Sequence, residues 1–383
     1  MNVLIISRGY PRKGDPLFGN FEAEQARALQ KAGCDVTVLY VDWRPKSPIK
    51  RKFGITSFHD GCIKIYGIFL FPFPIKSFPR LSIVLRQKQC SYLYKIIRNK
   101  ISRPDIIHAH FLFNLPLAAY IGERYSIPVV ATEHWSALMD PGNPAYLGIY
   151  SRYYKRTKNI ISVSKILQKA IMSKCGISSS VIYNIVSEEF FHTSLRKKSS
   201  PEISKRKFRF ISVGRLVALK HFELIIEAVA HLLSYGFDVE LDIAGDGPEK
   251  DRLADLITAL DVASKVKLLG LLGKEELLSR LKESDMFVLA SSQETFGVAF
   301  AEALSTGMPV ISTLCGGPEE FINDNNGLLV PINNLGALTD AMSYMMRNYE
   351  KYNHDIIKNE SIEKFSSNVI ADKIIKIYNK ILS

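Results

Sequence analysis

The sequence predicts an α/β protein built from two doubly wound domains, each around a parallel sheet. Three observations carry that reading. At 383 residues the chain exceeds the size at which one core keeps growing, so two domains of about 190 residues each are expected. Short runs rich in Val and Ile alternate with helical stretches in both halves, the pattern of βαβ units. Between the halves lies a polar, Lys/Ser-rich segment, HTSLRKKSSPEISKRK (192–207), with neither a helical nor a strand period. The expected division is therefore a first domain over 1–190, a linker over 191–207, and a second domain over 208–360. A C-terminal helix over 361–383 is expected to pack back towards the first domain.

In the first half the strands read NVLIIS (2–7), DVTVLYV (35–41), DIIHAH (105–110), PVVATE (128–133) and NIISVS (159–164). In the second they read FRFISVG (208–214), VELDIAG (239–245), KVKLLG (265–270), MFVLAS (286–291) and PVIST (309–313). FELIIEAVAHLLSYG and EELLSRLKESD have helical periodicity. Gly33, Gly236 and Gly307 follow helical runs where a C-terminal cap belongs. Ligands of such sheets bind beyond the carboxyl ends of the strands, so the loops there are where function is expected.

Composition narrows the class. At 47% hydrophobic and 23% charged residues the chain is an ordinary globular, enzyme-like protein. The start, MNVLIIS, lacks a basic leader region and a cleavage site, and no uncharged apolar run approaches the ~20 residues that span a bilayer. Five cysteines with no CxxC spacing read as reduced thiols of a cytoplasmic protein, not as a disulfide or zinc framework. The net charge of +12 is uneven: residues 1–180 hold 27 Lys and Arg against 10 Asp and Glu, and the remainder holds 23 against 28. Such a basic half suits a nucleic acid, an anionic membrane or a phosphorylated substrate. Its basic residues are not interleaved with a nucleic-acid-reading motif, so no nucleic-acid partner is expected.

The strand-end loops of the second half carry the chemistry. After strand 208–214 come Arg215 and Lys220, two cations able to grip a diphosphate, Arg by a fork of donors and Lys as a point charge. After strand 239–245 comes a Gly-Asp-Gly-Pro turn, and after strand 309–313 comes CGGPEEF (315–321). After strand 286–291 comes Glu294, then a helix beginning near Gly297, then Glu302 within it. The amides of Gly297, Val298 and Ala299 at that helix start form an anion site. Glu302 is the one carboxylate between Phe296 and Cys315, and a carboxylate in such apolar surroundings needs donors. In the first half His108 and His110 lack a third ligand at metal-binding spacing, and they read as satisfied core histidines.

The order GR-L-x3-K, then GDGP, then E-x7-E enclosing FG, then GGPEE resembles family 4 of the retaining glycosyltransferases, with the GT-B fold of two Rossmann-like domains facing a central cleft. The likeness is nearly complete over 208–331. It is looser over the first half, where SRGYPRKGDPLFGNFEAEQARALQKAGCDVTVL is similar to the family's N-terminal glycine loop and helix, and HAH, TEHWS, SVSKILQKAI and VIYNIVSEEFF match in order. Two departures stand out: His221 replaces the usual Gly after the lysine, and YNIV replaces the commoner Pro-Asn-Gly-Val.

The resemblance implies a donor site for a nucleotide-diphosphate sugar. Glu302 is expected on the ribose hydroxyls, Glu294 on the donor sugar, and the amides near Phe296, Gly297, Val298 and Ala299 on the phosphates. Gly270 and Leu271 are expected beside the nucleobase, Gly19 in the N-terminal glycine loop at the donor, and His134 facing the donor sugar. Arg215, Lys220, Glu294 and His134 form the expected catalytic set. No Asp-x-Asp pair occurs in the chain, so no metal or other cofactor is expected, and cations with a helix terminus are left to stabilise the leaving diphosphate. The expected reaction moves a hexosyl-type residue, with retention, to a saccharide acceptor that is lipid-linked, in cell-surface polysaccharide or lipopolysaccharide assembly. Basic and apolar residues alternate over 44–54 and 66–103, which implies a peripheral enzyme at the cytoplasmic face of an anionic membrane. A sugar phosphorylase or nucleotide-sugar epimerase of the same fold is the alternative.

Overall fold

The computed structural model describes residues 1–13, 15, 18–42, 44, 54–69, 79–140, 142, 144–193 and 207–383. They form two compact units, Met1–Ile185 with Ser367–Ser383, and Val186–Ser366. Most of the expected linker, and most of the basic run 44–54, lie outside the described residues.

The first unit is built on one sheet of eight strands: β1 (Asn2–Ser7), β2 (Asp35–Asp42), β3 (Gly54–Asp60), β4 (Ile63–Phe69), β5 (Ile106–His110), β6 (Val129–Glu133), β7 (Asn159–Ser162) and β8 (Ser180–Val181). Their spatial order is β3-β4-β2-β1-β5-β6-β7-β8. Every neighbouring pair is parallel except β3 and β4. It is accompanied by α1 (Asn20–Lys31), α2 (Pro79–Ile97), α3 (Leu115–Tyr125), α4 (Pro144–Ser151) and α5 (Lys165–Cys175), and by a further helix from the end of the chain. The central strands are apolar runs because helices cover both faces, and β1 is buried from Val3 to Ser7.

The second unit holds β9 (Phe208–Val213), β10 (Val239–Ala244), β11 (Val266–Gly270), β12 (Met286–Leu289), β13 (Val310–Thr313) and β14 (Gly327–Val330), all parallel in the order β11-β10-β9-β12-β13-β14. Its helices are α6 (Glu188–His192), α7 (Phe222–Ser234), α8 (Lys250–Ala259), α9 (Lys274–Glu283), α10 (Val298–Ser305), α11 (Leu335–Arg347) and α12 (His354–Phe365). In α7 the apolar positions Phe222, Ile225, Ile226, Val229 and Leu232 fall on one face and are buried, as a 3.6-residue period requires.

Each strand read from the sequence is found, to within two residues at either end. Gly33, Gly236 and Gly307 have the left-handed backbone of C-terminal caps. The domain limits differ from expectation in two places. Residues 186–190 belong with the second unit, because the Val186 amide bonds to the Phe365 carbonyl at 3.0 Å and α6 packs on α10. The expected helix 361–383 is broken at Ser366, and only its second part, α13 (Ser367–Leu382), lies in the first unit. There Ile370, Ala371, Ile374 and Tyr378 join the core beneath α1 and β1. Strands β3, β4, β8 and β14 were not expected from the sequence.

Candidate active site

In the second unit the chain winds from β9 outward through β10 to β11, then returns to β12 on the other side of β9 and winds outward again. The carboxyl ends of β9 and β12 therefore flank the point where the winding reverses, the place where open α/β sheets bind ligands. Lys220 stands on the loop after β9, and Glu294 on the loop after β12. The structure brings them into contact as an ion pair, Lys220 Nζ to Glu294 Oε1, with side chains only 20% and 11% exposed. Ser291 Oγ donates to the same carboxylate oxygen at 2.8 Å. The backbone is joined as well, since the Ser292 amide donates to the Leu219 carbonyl at 2.8 Å.

A third loop completes the arrangement. The Glu294 amide donates to the Cys315 carbonyl at 2.8 Å, and the Gly317 amide donates to the Glu294 carbonyl at 3.0 Å. A side chain at Gly317 would meet the Phe296 backbone at 2.5 Å, so glycine is what lets the two loops touch. Gly297 caps α10 with a left-handed backbone (φ 84°), and no side chain caps that helix. Among the described residues the amides of Gly297, Val298 and Ala299 meet no acceptor. They point out of a helix start beside Lys220 and Glu294, where the helix field favours an anion.

The Gly-Asp-Gly-Pro turn has a different role from its neighbours. A side chain at Gly245 would lie 1.8 Å from the Gly214 carbonyl oxygen, and one at Gly247 would lie 2.2 Å from that of Leu216. Both glycines thus let this turn press on the loop that carries Arg215, a contact sealed by the Leu216 amide on the Asp246 carbonyl at 3.0 Å. Arg215 itself is exposed, and its side chain makes no hydrogen bond or ion pair among the described residues. Phe296 is buried, Glu302 is half-buried on α10, and Leu271 is 60% exposed beyond Gly270 at the end of β11. His221, where Gly is usual, keeps the left-handed backbone of a glycine (φ 46°) and bonds Glu223 Oε1 through Nδ1 at 3.0 Å.

Gly19 and His134 lie in the first unit. Gly19 caps α1 with φ 84°, and Phe21 in the first turn of α1 stacks on the His134 ring at 5.3 Å and 8°. His134 follows β6, and the buried Glu133 beneath it accepts the amides of His134 and Trp135 at 3.0 and 2.9 Å and the Tyr154 hydroxyl at 2.8 Å. Burial pushes the Glu133 carboxyl up to about 7, although those donors pull it down. His108 is a satisfied core histidine, bonded to Tyr378, to Gln25 at 3.0 Å and to Thr132 at 2.7 Å. His110 instead reaches His134, its Nδ1 lying 3.0 Å from His134 Nε2. Arg8, after β1, holds the buried Glu22 at 2.9 Å and covers the Phe111 ring at 3.8 Å. Burial raises the Glu22 carboxyl, but Arg8 more than offsets it and leaves it below the ordinary range.

Sequence reasoning missed Ser291, Glu133 and the pairing of His110 with His134. The signal for the last was present: HAH and TEH end adjacent parallel strands, with His110 opposite Thr132 in register. Among the described residues no group of three or more His, Cys, Asp or Glu side chains is placed to hold a metal ion.

Two wound parallel sheets, the second with a cluster of loops at its switch point, are the architecture of the GT-B class. The chain belongs to the family 4 glycosyltransferases: residues 20–190 match the family described as Glycosyltransferase Family 4, and residues 194–361 match Glycosyl transferases group 1. Among curated proteins it is similar to the N-acetyl-alpha-D-glucosaminyl L-malate synthase of Bacillus anthracis, 24% identical over 85% of this chain and 84% of that one. It is also similar to the lipopolysaccharide core biosynthesis glycosyltransferase LpsE of Rhizobium meliloti, 36% identical over 36% of this chain and 38% of that one. Among solved structures, Anabaena Alr3699/HepE in complex with UDP-glucose superposes with a TM-score of 0.73 at 19% identity, covering 99% of this chain and 100% of the other.

Proposed function

We propose that this glycosyltransferase moves a hexosyl residue from a nucleotide-diphosphate sugar to a saccharide acceptor with retention, without a metal, in cell-surface polysaccharide or lipopolysaccharide assembly. The observation that carries the proposal is the meeting of Lys220, Glu294 and Ser291 beside the uncapped start of α10. Cation and helix amides there suit a departing diphosphate, and the carboxylate suits sugar hydroxyls. The complex of HepE with UDP-glucose and the lipopolysaccharide role named for LpsE support the choice of donor class and setting.

In this reading Arg215 and Lys220 neutralise the diphosphate as the bond from the anomeric carbon to its oxygen breaks. The acceptor oxygen bonds to that carbon on the same face, and its proton passes to the departing phosphate oxygen. Glu302 binds the ribose, Gly270 and Leu271 flank the base, Gly19 lines the glycine loop, and His134 binds the sugar. A double displacement would need a second carboxyl roughly 5 Å from Glu294, and no partner for such a step was read in the sequence. A nucleotide-release screen over a panel of sugar nucleotides tests the reading, with Glu294→Ala as control. Release that depends on acceptor and is lost in the variant supports it, and release without acceptor consumption overturns it in favour of an epimerase or phosphorylase.

A lipid-linked acceptor and peripheral attachment to the cytoplasmic face of an anionic membrane belong to the same proposal. On α2 the exposed residues Leu81, Val84, Lys88, Tyr92 and Lys95 follow one helical stripe, apolar and basic side chains together. No described helix is long and apolar enough to cross a membrane. Sedimentation with liposomes of graded anionic content is the check, and equal, negligible binding to neutral and anionic vesicles at low salt overturns it.

A further inference from the structure

His134 is held by a neighbour whose role nothing above assigns. The rings of His110 and His134 lie 12° from coplanar with centroids 5.3 Å apart, and Nδ1 of the first is 3.0 Å from Nε2 of the second. They therefore meet edge to edge, as an N–H···N hydrogen bond requires. The other nitrogen of each ring, His110 Nε2 and His134 Nδ1, is buried without a hydrogen-bond partner among the described residues. The Asn184 side chain favours a charged His134 from close by, yet among the described residues no group meets Nδ1 in good hydrogen-bonding geometry.

Both rings are neutral near pH 7. Burial and the neighbouring His134 push His110 down to about 3, opposed by Glu22 and reinforced by Arg8. Burial, Arg8 and His108 push His134 down to about 3. A neutral pair has one proton to place between the facing nitrogens, and the two placements differ in what they leave behind. If His134 donates, His110 carries its proton on Nε2, an N–H with no acceptor at a residue with no exposed surface. If His110 donates, only a lone pair is left there, and orphaned buried N–H groups are the rarer defect. The N–H then falls on His134 Nδ1, which is buried as well, but on a residue that lines a recess with Phe21, Gln25 and Asn184, a recess that His110 does not line.

We propose that His110 is a positioning residue, whose Nδ1–H donates to His134 Nε2 and so fixes His134 as the Nδ1–H tautomer, a hydrogen-bond donor aimed into that recess. As a statement about function it rests on the assignment of His134 to the donor sugar. The setting supports a built device. The His110 carbonyl is gripped by Asn114 Nδ2 at 2.8 Å. The next residue, Phe111, is held at φ 65°, ψ 140°, a conformation rare outside glycine, and packs its ring 4.8 Å from His134. Strain of that kind persists where the surroundings over-determine a site.

The test is nitrogen NMR of the histidine rings in the full chain, with no nucleotide sugar added, comparing wild type with His110→Phe and His110→Asn. In water a free imidazole prefers its proton on Nε2, so the expected wild-type result is the opposite of the default: Nδ1–H for both His110 and His134. In His110→Phe, His134 should revert to Nε2–H, while Asn, which can offer an amide N–H at the place of Nδ1, should restore the Nδ1–H form. An Nε2–H form of His134 in the wild type, or an unchanged tautomer in His110→Phe, overturns the proposal. Should His110→Phe fail to fold, the wild-type spectrum alone decides. Failure of the glycosyl-transfer reading would leave the spectra unchanged, so the two can be told apart.

Discussion

Lys220 and Glu294, 74 residues apart in the chain, share an ion pair at the reversal point of the second sheet. The cation assigned to the diphosphate and the carboxylate assigned to the sugar thus hold each other in place. Ammonium has three donors, so Lys220 can keep Glu294 and still reach a phosphate oxygen. The pair orients both groups beforehand, which is where electrostatic catalysis gains its advantage over water.

Lys220→Ala and Arg215→Ala should separate by two measurements. Each should lower nucleotide release in the presence of acceptor by roughly 10²- to 10³-fold, the usual effect of losing one preorganised charge donor. Only Lys220→Ala should also lower the melting temperature, because it leaves the largely buried Glu294 without its cation. Arg215 is exposed and unpaired among the described residues, so its loss should change stability by no more than about 0.5 kcal/mol. Full turnover in Arg215→Ala would remove it from the site.

Chelation should leave turnover unchanged. With Arg215, Lys220 and the start of α10 to carry the leaving charge, activity in excess EDTA should equal activity in added magnesium or manganese. Loss with chelator and recovery with either ion would show that a metal does this work.

His221→Gly should stabilise the second unit. A side chain in the left-handed region costs about 1–2 kcal/mol, and His221 has φ 46° at the head of α7. Its bond to Glu223 offsets part of that cost, so the expected net gain is about 0.5–1 kcal/mol, read as a rise in the denaturant midpoint. A lower midpoint would mean that the Glu223 contact outweighs the strain.

Glu133 should make stability depend on pH between 4.5 and about 7. Burial raises its folded value from the ordinary 4.5 to about 7, so the protonated form is the one that folding favours. Its contribution is complete below pH 4.5, where both states hold the proton, and is lost as pH rises through about 7. At about 1.4 kcal/mol per pKa unit the loss is on the order of a few kcal/mol. In Glu133→Gln that contribution should be absent, so the stability difference between the two proteins should change across this window, and equal pH profiles for the two would refute the raised value.

Residues whose environment is local were readable from the sequence. Strands such as VLIIS are continuous apolar runs because both faces are covered, and Gly297 announced a helix start by itself. The missed strand β3, GITSFHD, alternates half-buried and exposed positions at a sheet edge, so it carries no apolar run. Glu294 and Lys220 were both identified, but their pairing depends on β9 and β12 becoming neighbours across a long stretch of chain. The roles of Gly245 and Gly247 were not readable for a similar reason: only the approach of the 214–216 backbone reveals why a side chain cannot stand there.

The return of α13 to the first unit bears on the order of events during synthesis. Ile370, Ile374 and Tyr378, with the Tyr378 hydroxyl on His108, fill a gap between α1 and the sheet that residues 1–185 cannot close. Domains commonly fold as they emerge from the ribosome, N-terminal first. Here the unit translated first waits for residues translated last, while Val186–Ser366 has all its own parts in hand earlier. The nascent first unit therefore waits through the translation of some 180 residues with the apolar groove that α13 fills still uncovered.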